Sequence, residues 1–502
     1  MAFSPSVSVA LPLAPRAARP AGAARAAASG AGADGERVYL GIDFGTSGAR
    51  CVGIDVRGRV VAERSATYPA GASGDAGAWR DTLRALLRGL DASQRAWVDG
   101  VAFDGTSASV VMCDRTTGAP LGAPRMYSEA MDASAVDAVK ACAPAFHTTT
   151  ASTSSLCKLV SFWADADDDA RARAVLCHQA DWLGWLLHGE LGVSDDTNAL
   201  KLGYDPAPEV RGFPAWMGGL CGGAWVNETL GATPPSTPRT PPREGGVLPR
   251  RVVPPGTVVG TCGAAAPLWR GEEDGPLLPA TARVVAGTTD SIAAFVAADT
   301  SGGRPGFAVT SLGSTLALKM ASDVRVDDAR YGVYSHRIGG RWLVGGASNT
   351  GGAVLRHLGY DDAALARLSA SIDPAVASAE ANALYPLARP GERFPLADDA
   401  LAPRLGDVRL DDPAYLHAVL EAIARVEAQG YALLQDLGAS PLREVVSAGG
   451  GAANPAWTAI RARVLGTRVS KAAQAEAAYG AALLARQGCL GLDTYADGLD
   501  FP

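Results

Sequence analysis

The fold of this chain is decided by the stretch Tyr39-Leu-Gly-Ile-Asp-Phe-Gly-Thr-Ser-Gly-Ala-Arg50. An apolar strand runs into an aspartate, breaks at Gly45 and Gly48, and continues as an alternating strand. Such a hairpin can hold phosphate, because glycines let backbone N–H groups approach an anion and the hydroxyls of Thr46 and Ser47 add donors. An ordinary tight turn has the same pattern, so the functional interpretation depends on the motifs that follow.

The aspartate at the end of this first strand, Asp43, is placed to face a hydrated Mg²⁺ beside a bound phosphate. A second turn, Asp55-Val-Arg-Gly58, then returns the chain into a third strand from Arg59 to Arg64. The sequence therefore predicts a three-stranded meander that opens the fold.

A second motif of the same kind follows an apolar strand over residues 96–103 and reads Asp104-Gly-Thr-Ser107. It repeats the order of strand, acid, glycine and hydroxyls. We interpret it as a site for sugar hydroxyls, in which Asp104, Thr106 and Ser107 are the hydrogen-bonding groups. A loop cap is the alternative interpretation of each of these residues.

Three further elements extend the pattern towards the carboxyl terminus. A strand over residues 281–289 ends at Asp290, which is followed by an apolar helix start; Asp290 is a candidate reactive carboxylate or a helix N-cap. Residues 306–319 form a second glycine-hydroxyl hairpin, and residues 443–457 run from a strand through a triple glycine into a helix. Three phosphate-competent turns in this order indicate a nucleotide site.

Composition and charge exclude several classes of protein. The chain has 502 residues, of which 48% are hydrophobic and 19% charged, as in a soluble enzyme of two large lobes. Its net charge of −7 argues against a nucleic-acid partner. No segment is apolar enough to predict a membrane span, so we expect no membrane partner.

The first 35 residues have a different character, with scattered Ala, Ser, Pro and Arg and no acidic residue before Asp34. This composition is typical of a transit peptide, and Pro5, Pro12 and Arg16 interrupt the apolar core that a secretory signal needs. The content of Ser and Pro favours the chloroplast stroma over the mitochondrion. An ordinary disordered terminus is the alternative.

The eight cysteines form no C-x-x-C pair and no cluster with the histidines. This spacing gives no support for a zinc site, and we expect buried reduced thiols.

With these motifs in order, the chain resembles the FGGY carbohydrate kinases, which belong to the sugar kinase, Hsp70 and actin ATPase superfamily, from Tyr39 to about Arg486. The matching elements are Gly41–Arg50 for the first phosphate motif, Ala286–Asp290 for the catalytic aspartate, Leu312–Thr315 for the second phosphate turn, Gly449–Asn454 for the adenosine motif and Glu476–Leu484 for the closing interdomain helix. Gly391-Glu-Arg393 and residues 420–423 resemble further landmarks of the family.

The resemblance implies an α/β fold of two ribonuclease H-like (actin-like ATPase) domains with a catalytic cleft between them. The expected sugar-side domain covers residues 36–295 together with a C-terminal helix over 481–495. The expected nucleotide-side domain covers residues 296–480. The resemblance leaves the oligomeric state open between a monomer and a homodimer.

The resemblance also implies the cofactors ATP and Mg²⁺ and a role for each site residue. Asp290 would take the proton of the attacking hydroxyl, and Asp43 would serve both Mg²⁺ and the sugar. The sugar would also contact Asp104, Thr106 and Ser107. The residues expected on ATP and its phosphates are Gly45, Thr46, Ser47, Gly313, Ser314, Gly450, Gly451 and Asn454.

Within the family, Asp104–Ser107 is similar to the sugar motif of ribulose kinases and lacks the histidine expected of xylulose kinases. The chain resembles the compact ribulose kinases of cyanobacteria and plastids, so we expect transfer to D-ribulose, with D-xylulose or a pentitol as the alternative. Two departures from the family affect the sugar contacts: residues 127–130 read Tyr-Ser-Glu-Ala, and Ser155 and Ser161 replace a proline and a tryptophan.

An actin-like or Hsp70-like ATP-binding protein without sugar kinase activity is the alternative from another class. Such a protein would not need Asp290 before an apolar helix together with the Gly391-Glu-Arg393 element.

Overall fold

Two six-stranded sheets organise the chain, which a computed structural model describes over residues 37–223, 246–263, 265–270 and 275–500. The expected transit peptide lies outside the described residues, and so does the proline-rich part of the chain before residue 246. The described residues from 37 onwards belong to one compact unit.

The first sheet is built around the opening hairpin. Its strands are β1 (Val38–Phe44), β2 (Gly48–Ile54), β3 (Val60–Thr67), β4 (Val98–Gly105), β9 (Val258–Thr261) and β10 (Arg283–Thr289), in the order β3-β2-β1-β4-β10-β9. Strand β1 pairs antiparallel with β2 and parallel with β4, which in turn is parallel to β10. The predicted three-stranded meander is confirmed.

The second sheet repeats this arrangement. Its strands are β11 (Phe307–Leu312), β12 (Leu316–Ser322), β13 (His336–Ile338), β14 (Arg341–Ser348), β15 (Glu444–Ala448) and β16 (Arg468–Lys471), in the order β13-β14-β12-β11-β15-β16. Strand β11 pairs antiparallel with β12 and parallel with β15, as β1 does with β2 and β4. The predicted α/β class with two sheet-containing domains is confirmed.

Two short sheets complete the strands: β5 (Val110–Asp114) pairs with β6 (Ala174–His178), and β7 (Val193–Asp195) pairs with β8 (Arg251–Val253). The helices are α1 (Ala76–Arg88), α2 (Ala92–Ala96), α3 (Ala133–Cys142), α4 (Ser155–Asp165), α5 (Asp168–Arg173), α6 (Gln179–His188), α7 (Asp290–Ala298), α8 (Gly352–Leu358), α9 (Asp362–Ser369), α10 (Pro413–Asp436), α11 (Pro455–Leu465) and α12 (Ala477–Leu490).

Apolar periodicity places most helices correctly. Leu83, Leu86 and Leu87 are buried on one face of α1, as their spacing predicts. The apolar stretch from Cys177 to His188 predicts one helix from the sequence alone, and its start is wrong, because Cys177 and His178 pair with β5 as the end of β6. The helix begins only at Gln179; His178 is its N-cap and donates its backbone N–H to the Asp181 carboxylate at 2.9 Å.

Helices α7 and α12 share one buried apolar cluster with residues of both sheets. Helix α12 lies so close to β1 that a Cβ on Gly41 would come within 1.9 Å of the Ala478 carbonyl oxygen. A Cβ on Gly480 would come equally close, 1.9 Å, to the carbonyl oxygen of Ala293 on α7. Helix α12 runs from Ala477 to Leu490, so it contains nearly all of the expected closing element Glu476–Leu484 and begins before residue 481, the expected start of the C-terminal helix. The domain boundaries at 295 and 480 stay predictions.

Candidate active site

Three acidic residues come together where the parallel strands of the first sheet end. Asp43 on β1 lies opposite Asp104 on β4 in the register of the sheet, and Thr288 on β10 lies on the other side of Asp104. Asp290 follows directly after β10 as the first residue of α7. Asp290 follows Asp104 by more than 180 positions in the sequence. The two residues nevertheless lie at one edge of the sheet, because the carboxyl ends of parallel strands share that edge.

Asp104 is the most deeply buried of the three acids, with 0% of its surface exposed. Among the described residues, no N–H or O–H group of a neighbour donates to either of its carboxyl oxygens. Burial, together with the charge of Asp43, raises the pKa of Asp104 well above its usual value. The predicted contact of Asp104 with a sugar stays a prediction, and in this structure its oxygens are closed off from solvent.

Asp43 is only partly buried, and it faces the Asp104 carboxyl. Burial raises the pKa of Asp43, whereas a hydrogen bond from Asp104 and the charge of Arg50 act in the opposite direction. Arg50 is itself paired with Glu476 at the start of α12. A partly exposed carboxylate beside a glycine-rich turn has the chemistry of a Mg²⁺ ligand.

Asp290 does not cap α7, so that interpretation of this residue is wrong: the N-cap is Thr289, and Asp290 is the first helical residue. Its Oδ1 accepts a hydrogen bond of 2.6 Å from the backbone N–H of Ser291. Burial raises the pKa of Asp290, and the charge of Asp43 acts in the same direction, while Lys319 lowers it. The side chain is therefore free of a capping role and carries a pKa closer to neutrality than an exposed aspartate.

The second sheet contributes a lysine to this site, which sequence reasoning missed. Lys319 on β12 donates from Nζ to the backbone carbonyl oxygen of Ser291 at 2.7 Å. Burial lowers the pKa of Lys319 to about 7, while the charge of Asp290 opposes this. The signal was present in the sequence, because Lys319 ends the second hairpin motif with its side chain on an alternating strand.

Two more basic groups lie near Lys319. Burial lowers the pKa of His336 well below its usual value, and the charges of Lys319 and Lys201 act in the same direction. Lys201 also lowers the pKa of Asp290 through its charge. The acids of the first sheet therefore face cationic groups from both halves of the chain.

The turn between β1 and β2 leaves the expected phosphate-binding groups accessible. Thr46 and Ser47 are exposed at its tip, and the N–H of Gly45 closes the turn by donating to the Gly48 carbonyl oxygen at 3.0 Å. The Tyr68 hydroxyl donates to the Gly45 carbonyl oxygen at 3.2 Å. Two hydrogen bonds thus hold the backbone of this turn, while the side chains of Thr46 and Ser47 are exposed.

The corresponding turn of the second sheet contains Gly313 and Ser314. Arg356 on α8, exposed and not predicted from the sequence, donates from its guanidinium to Ser314 Oγ at 2.8 Å. The backbone N–H of Gly352 also donates to the Gly313 carbonyl oxygen at 2.8 Å. Arg356 therefore adds a permanent positive charge beside the second predicted phosphate turn.

The triple-glycine segment packs directly against that turn. A Cβ on Gly451 would lie 2.8 Å from Leu312 Cβ, whereas Gly450 is exposed and has open space on its Cβ side. Asn454 is the N-cap of α11: its Oδ1 accepts from the Trp457 N–H at 3.0 Å, and its Nδ2 donates to Ser369 Oγ at 2.8 Å. Its amide is thus used within the protein, and a contact with ATP stays a prediction.

The Thr106 hydroxyl is engaged inside the protein. It lies 2.5 Å from Ser109 Oγ and 3.1 Å from Gln179 Oε1. Gln179 is buried, and its Nε2 has no hydrogen-bond partner among the residues that the structure describes. Ser107 is half-buried and adjoins this network, which the sequence did not predict because Gln179 lies far along the chain.

The described residues show neither a metal-binding cluster nor a membrane-spanning helix, and their cysteines are free thiols. Within them, no group of three or more His, Cys, Asp or Glu side chains is placed to hold a metal ion. No helix among the described residues has both the length and the apolarity that crossing a bilayer requires. Seven of the cysteines are described; all seven are free thiols, and six of them are buried.

Comparison with known proteins agrees with this architecture. Residues 308–487 match the model of the C-terminal domain of the FGGY family of carbohydrate kinases. A curated relative, the apulose kinase of Pectobacterium atrosepticum, is 36% identical over 91 residues; this alignment covers 17% of the chain and 18% of the relative.

Solved structures share the fold over more than nine-tenths of the chain. A xylulose kinase from Rhodospirillum rubrum aligns with a TM-score of 0.70 and 25% identity over 92% of both chains. A xyloylose kinase from Brucella ovis aligns with a TM-score of 0.72 and 22% identity over 93% of both chains. Residues 308–487 are therefore similar to the C-terminal domain of the FGGY family of carbohydrate kinases, and the chain shares its fold with solved kinases of this kind.

Proposed function

We propose that this protein is an ATP- and Mg²⁺-dependent kinase that transfers the γ-phosphoryl group to the primary hydroxyl of a ketopentose. The observation that carries the proposal is the position of Asp290. It lies at the strand ends that also hold Asp43 and Asp104, and Lys319 of the second sheet reaches the residue after it. A site built from both sheets suits a reaction that joins a nucleotide and a sugar.

Asp290 is the proposed general base. A raised pKa brings its carboxylate closer to the pH at which a base works best, and the side chain is not used in capping the helix. The carboxylate takes the proton of the attacking hydroxyl, whose oxygen forms the new bond to phosphorus as ADP leaves. Lys319 and Lys201 add positive charge near the group that accepts this proton.

ATP is proposed to bind between the two glycine turns. Thr46 and Ser47 on one side and Gly313, Ser314 and Arg356 on the other are the groups that would contact phosphate. The exposed backbone of Gly450 would lie near the nucleoside, and Gly451 and Asn454 would shape this part of the site. Asp43 would hold Mg²⁺, whose charge would neutralise the phosphate oxygens.

D-ribulose is the proposed sugar, which would give D-ribulose 5-phosphate. The similarity of Asp104–Ser107 to the ribulose-kinase motif supports it, with Thr106, Ser107 and the unpartnered Gln179 amide near the sugar. D-xylulose is the second candidate, because the structural relative from Rhodospirillum rubrum, which aligns over 92% of both chains, is named a xylulose kinase.

The test is sugar-dependent ADP release by the purified protein with ribulose, xylulose, apulose, ribitol, arabinitol and glycerol. We expect the highest kcat/KM with D-ribulose and dependence on Mg²⁺. A higher value with xylulose would correct the substrate. ATP binding without release of ADP in the presence of any of these compounds would favour the actin-like alternative.

We also propose that the protein works in the chloroplast stroma, on the composition of its first 35 residues. Import would then remove the leader between about residue 26 and residue 35, since the first strand begins at Val38. Sequencing the amino terminus of protein recovered from plastids tests this, and an intact Met1 would contradict it.

A further inference from the structure

Lys158 on α4 is a buried cation that contacts two other segments of the chain. The residue is 1% exposed, and its Nζ donates to the backbone carbonyl oxygens of Ala108 and Met126, each at 2.7 Å. These bonds join residues that are 50 and 32 positions apart in the sequence. Burying an ammonium group is costly, and an apolar side chain could fill the same place. The presence of a lysine therefore indicates a task for its two hydrogen bonds.

Ala108, the first acceptor, has a backbone conformation that alanine rarely adopts. Its φ is +71°, in the left-handed region that glycine favours and that costs other residues energy. The N–H of Ser109 donates to the Thr106 carbonyl oxygen at 3.1 Å, so Ala108 is the third residue of a β-turn. A positive φ at this position is that of a type II turn, in which glycine is usual. The hydrogen bond from Lys158 thus stabilises a turn that its own sequence disfavours.

Met126, the second acceptor, belongs to a segment that runs beside the end of this turn. Arg125 and Val110 exchange two backbone hydrogen bonds of 2.8 and 3.0 Å. The N–H of Tyr127 donates to Ser109 Oγ at 2.9 Å, and the tyrosine side chain is 42% exposed. The segment therefore brings an exposed phenol close to the turn that follows the predicted sugar motif.

We propose that Lys158 is a positioning residue for the sugar substrate. Its two hydrogen bonds join the turn to the second segment and so fix the distance between Ser107 and Tyr127, which are half-buried and exposed. Serine and tyrosine hydroxyls both donate and accept, which suits the hydroxyl groups of a ketopentose. If their separation were free to vary, ordering them would weaken sugar binding. The role in sugar binding rests on the proposed kinase function, whereas the joining of the two segments does not.

Lys158→Met tests the proposal by kinetics, because methionine keeps the length of the side chain but donates no hydrogen bond. The assay is run at pH 7, since burial lowers the pKa of Lys158 only to about 8 and the lysine stays protonated. We expect KM for the preferred sugar to rise about ten- to a hundredfold. KM for ATP should stay within about twofold, because the nucleotide is proposed to bind at other turns.

Two further variants separate positioning from mere filling of the core. Lys140→Met, on α3, replaces an exposed lysine and should leave both KM values unchanged. Ala108→Gly, introduced together with Lys158→Met, should recover about three- to tenfold of the lost affinity for sugar, because glycine adopts a positive φ without strain. The proposal is wrong if Lys158→Met leaves the sugar KM unchanged, if it raises both KM values equally, or if Ala108→Gly recovers nothing.

Hydrogen exchange followed by mass spectrometry tests the joining of the two segments without any activity. In Lys158→Met we expect faster exchange over residues 104–110 and over residues 125–128 than in the wild type. Unchanged exchange over both segments would overturn the proposal even in an active kinase. If the wild type phosphorylates no sugar, the proposed function fails and the positioning of a sugar fails with it, even where exchange shows the segments to be joined.

Far-UV circular dichroism and thermal melting identify a variant that fails to fold. If Lys158→Met does so, Lys158→Gln takes its place, because glutamine is uncharged but keeps an N–H donor. Glutamine is shorter than lysine, so we expect the same changes in sugar KM and in exchange, with the same recovery by Ala108→Gly. Wild-type values of both quantities in Lys158→Gln would contradict the proposal.

Discussion

Lys319 Nζ lies 2.7 Å from the backbone carbonyl oxygen of Ser291, and this hydrogen bond joins the second sheet to the first turn of the helix that begins with Asp290. Ser291 also donates its N–H to the Asp290 carboxylate. Ser291 therefore links the proposed base, Asp290, to Lys319. Through this contact strand β12, which follows the second predicted phosphate turn, can influence proton transfer.

Lys319→Met should move the pH dependence of the reaction. The charge of Lys319 lowers the pKa of Asp290, so its removal raises that pKa, and the acid limb of kcat/KM shifts to higher pH. Burial lowers the pKa of Lys319 to about 7, so its charge is present in the acidic range where the limb lies. Lys319→Arg keeps a charge and is the control; equal acid limbs in both variants would contradict the coupling.

Asp290→Asn should separate phosphoryl transfer from nucleotide binding. The amide keeps nearly the same volume but accepts no proton, so turnover with the preferred sugar should fall by about 10² to 10⁴. ATP affinity, measured by calorimetry, should stay near that of the wild type. Asp43→Asn should differ by changing the Mg²⁺ dependence as well. Unchanged sugar-dependent ADP release in Asp290→Asn would remove the base from this mechanism.

Asp104 should make the protein less stable as the pH rises. If the folded protein keeps a proton on Asp104 that the unfolded chain loses near its ordinary pKa, stabilisation by that proton is complete below about pH 4 and declines up to the raised folded pKa. Asp104→Asn removes this dependence. Between pH 5.5 and 7.5, the free energy of unfolding of the wild type should therefore fall by more than that of the variant. Urea unfolding at the two pH values measures this, and parallel losses would exclude a bound proton.

The buried pair of Glu427 and Arg461 should be costly to break. Both side chains are 0% exposed, with N–O distances of 2.6 and 2.7 Å, and the Thr310 hydroxyl donates to the same carboxylate. Arg461→Met leaves the carboxylate buried without its cation and should cost about 3 to 5 kcal/mol of stability. Adding Glu427→Gln should recover a large part of this.

An exposed ion pair provides the matched control for this change. The side chains of Arg367 and Asp411 are 63% and 96% exposed, so Arg367→Met should cost under about 1 kcal/mol. Chemical denaturation of the variants measures all these values. Equal losses in the two arginine variants would contradict the role of burial.

Gly41→Ala should disturb the contact between the first strand and the last helix. The added Cβ would come within 1.9 Å of the Ala478 carbonyl oxygen, which is backbone and cannot turn away. Such overpacking should cost about 1 to 3 kcal/mol. Gly122→Ala is the control, because a Cβ there meets nothing within 4 Å. Thermal melting compares the two, and equal melting temperatures would argue against close helix packing at Gly41.

The sequence by itself determined the local elements of this protein. Alternating apolar residues and glycines predicted the hairpin from Tyr39 to Arg50 and its counterpart over residues 306–319, because strand periodicity and turn chemistry are properties of neighbouring residues. It also identified Asp43, Asp104 and Asp290 as candidates, since each follows directly on a predicted strand. A run of apolar residues did not reveal that Cys177 and His178 pair as a strand, because pairing needs a partner elsewhere.

Only the tertiary structure decided how these residues act on one another. Strand order placed Asp104 opposite Asp43 and away from solvent, which no spacing in the sequence specifies. The packing of the two halves brought Lys319 to Ser291, and the start of α11 engaged the amide of Asn454 as a cap. Burial and charge around an acid depend on contacts between distant segments, so its protonation is a property of the folded chain.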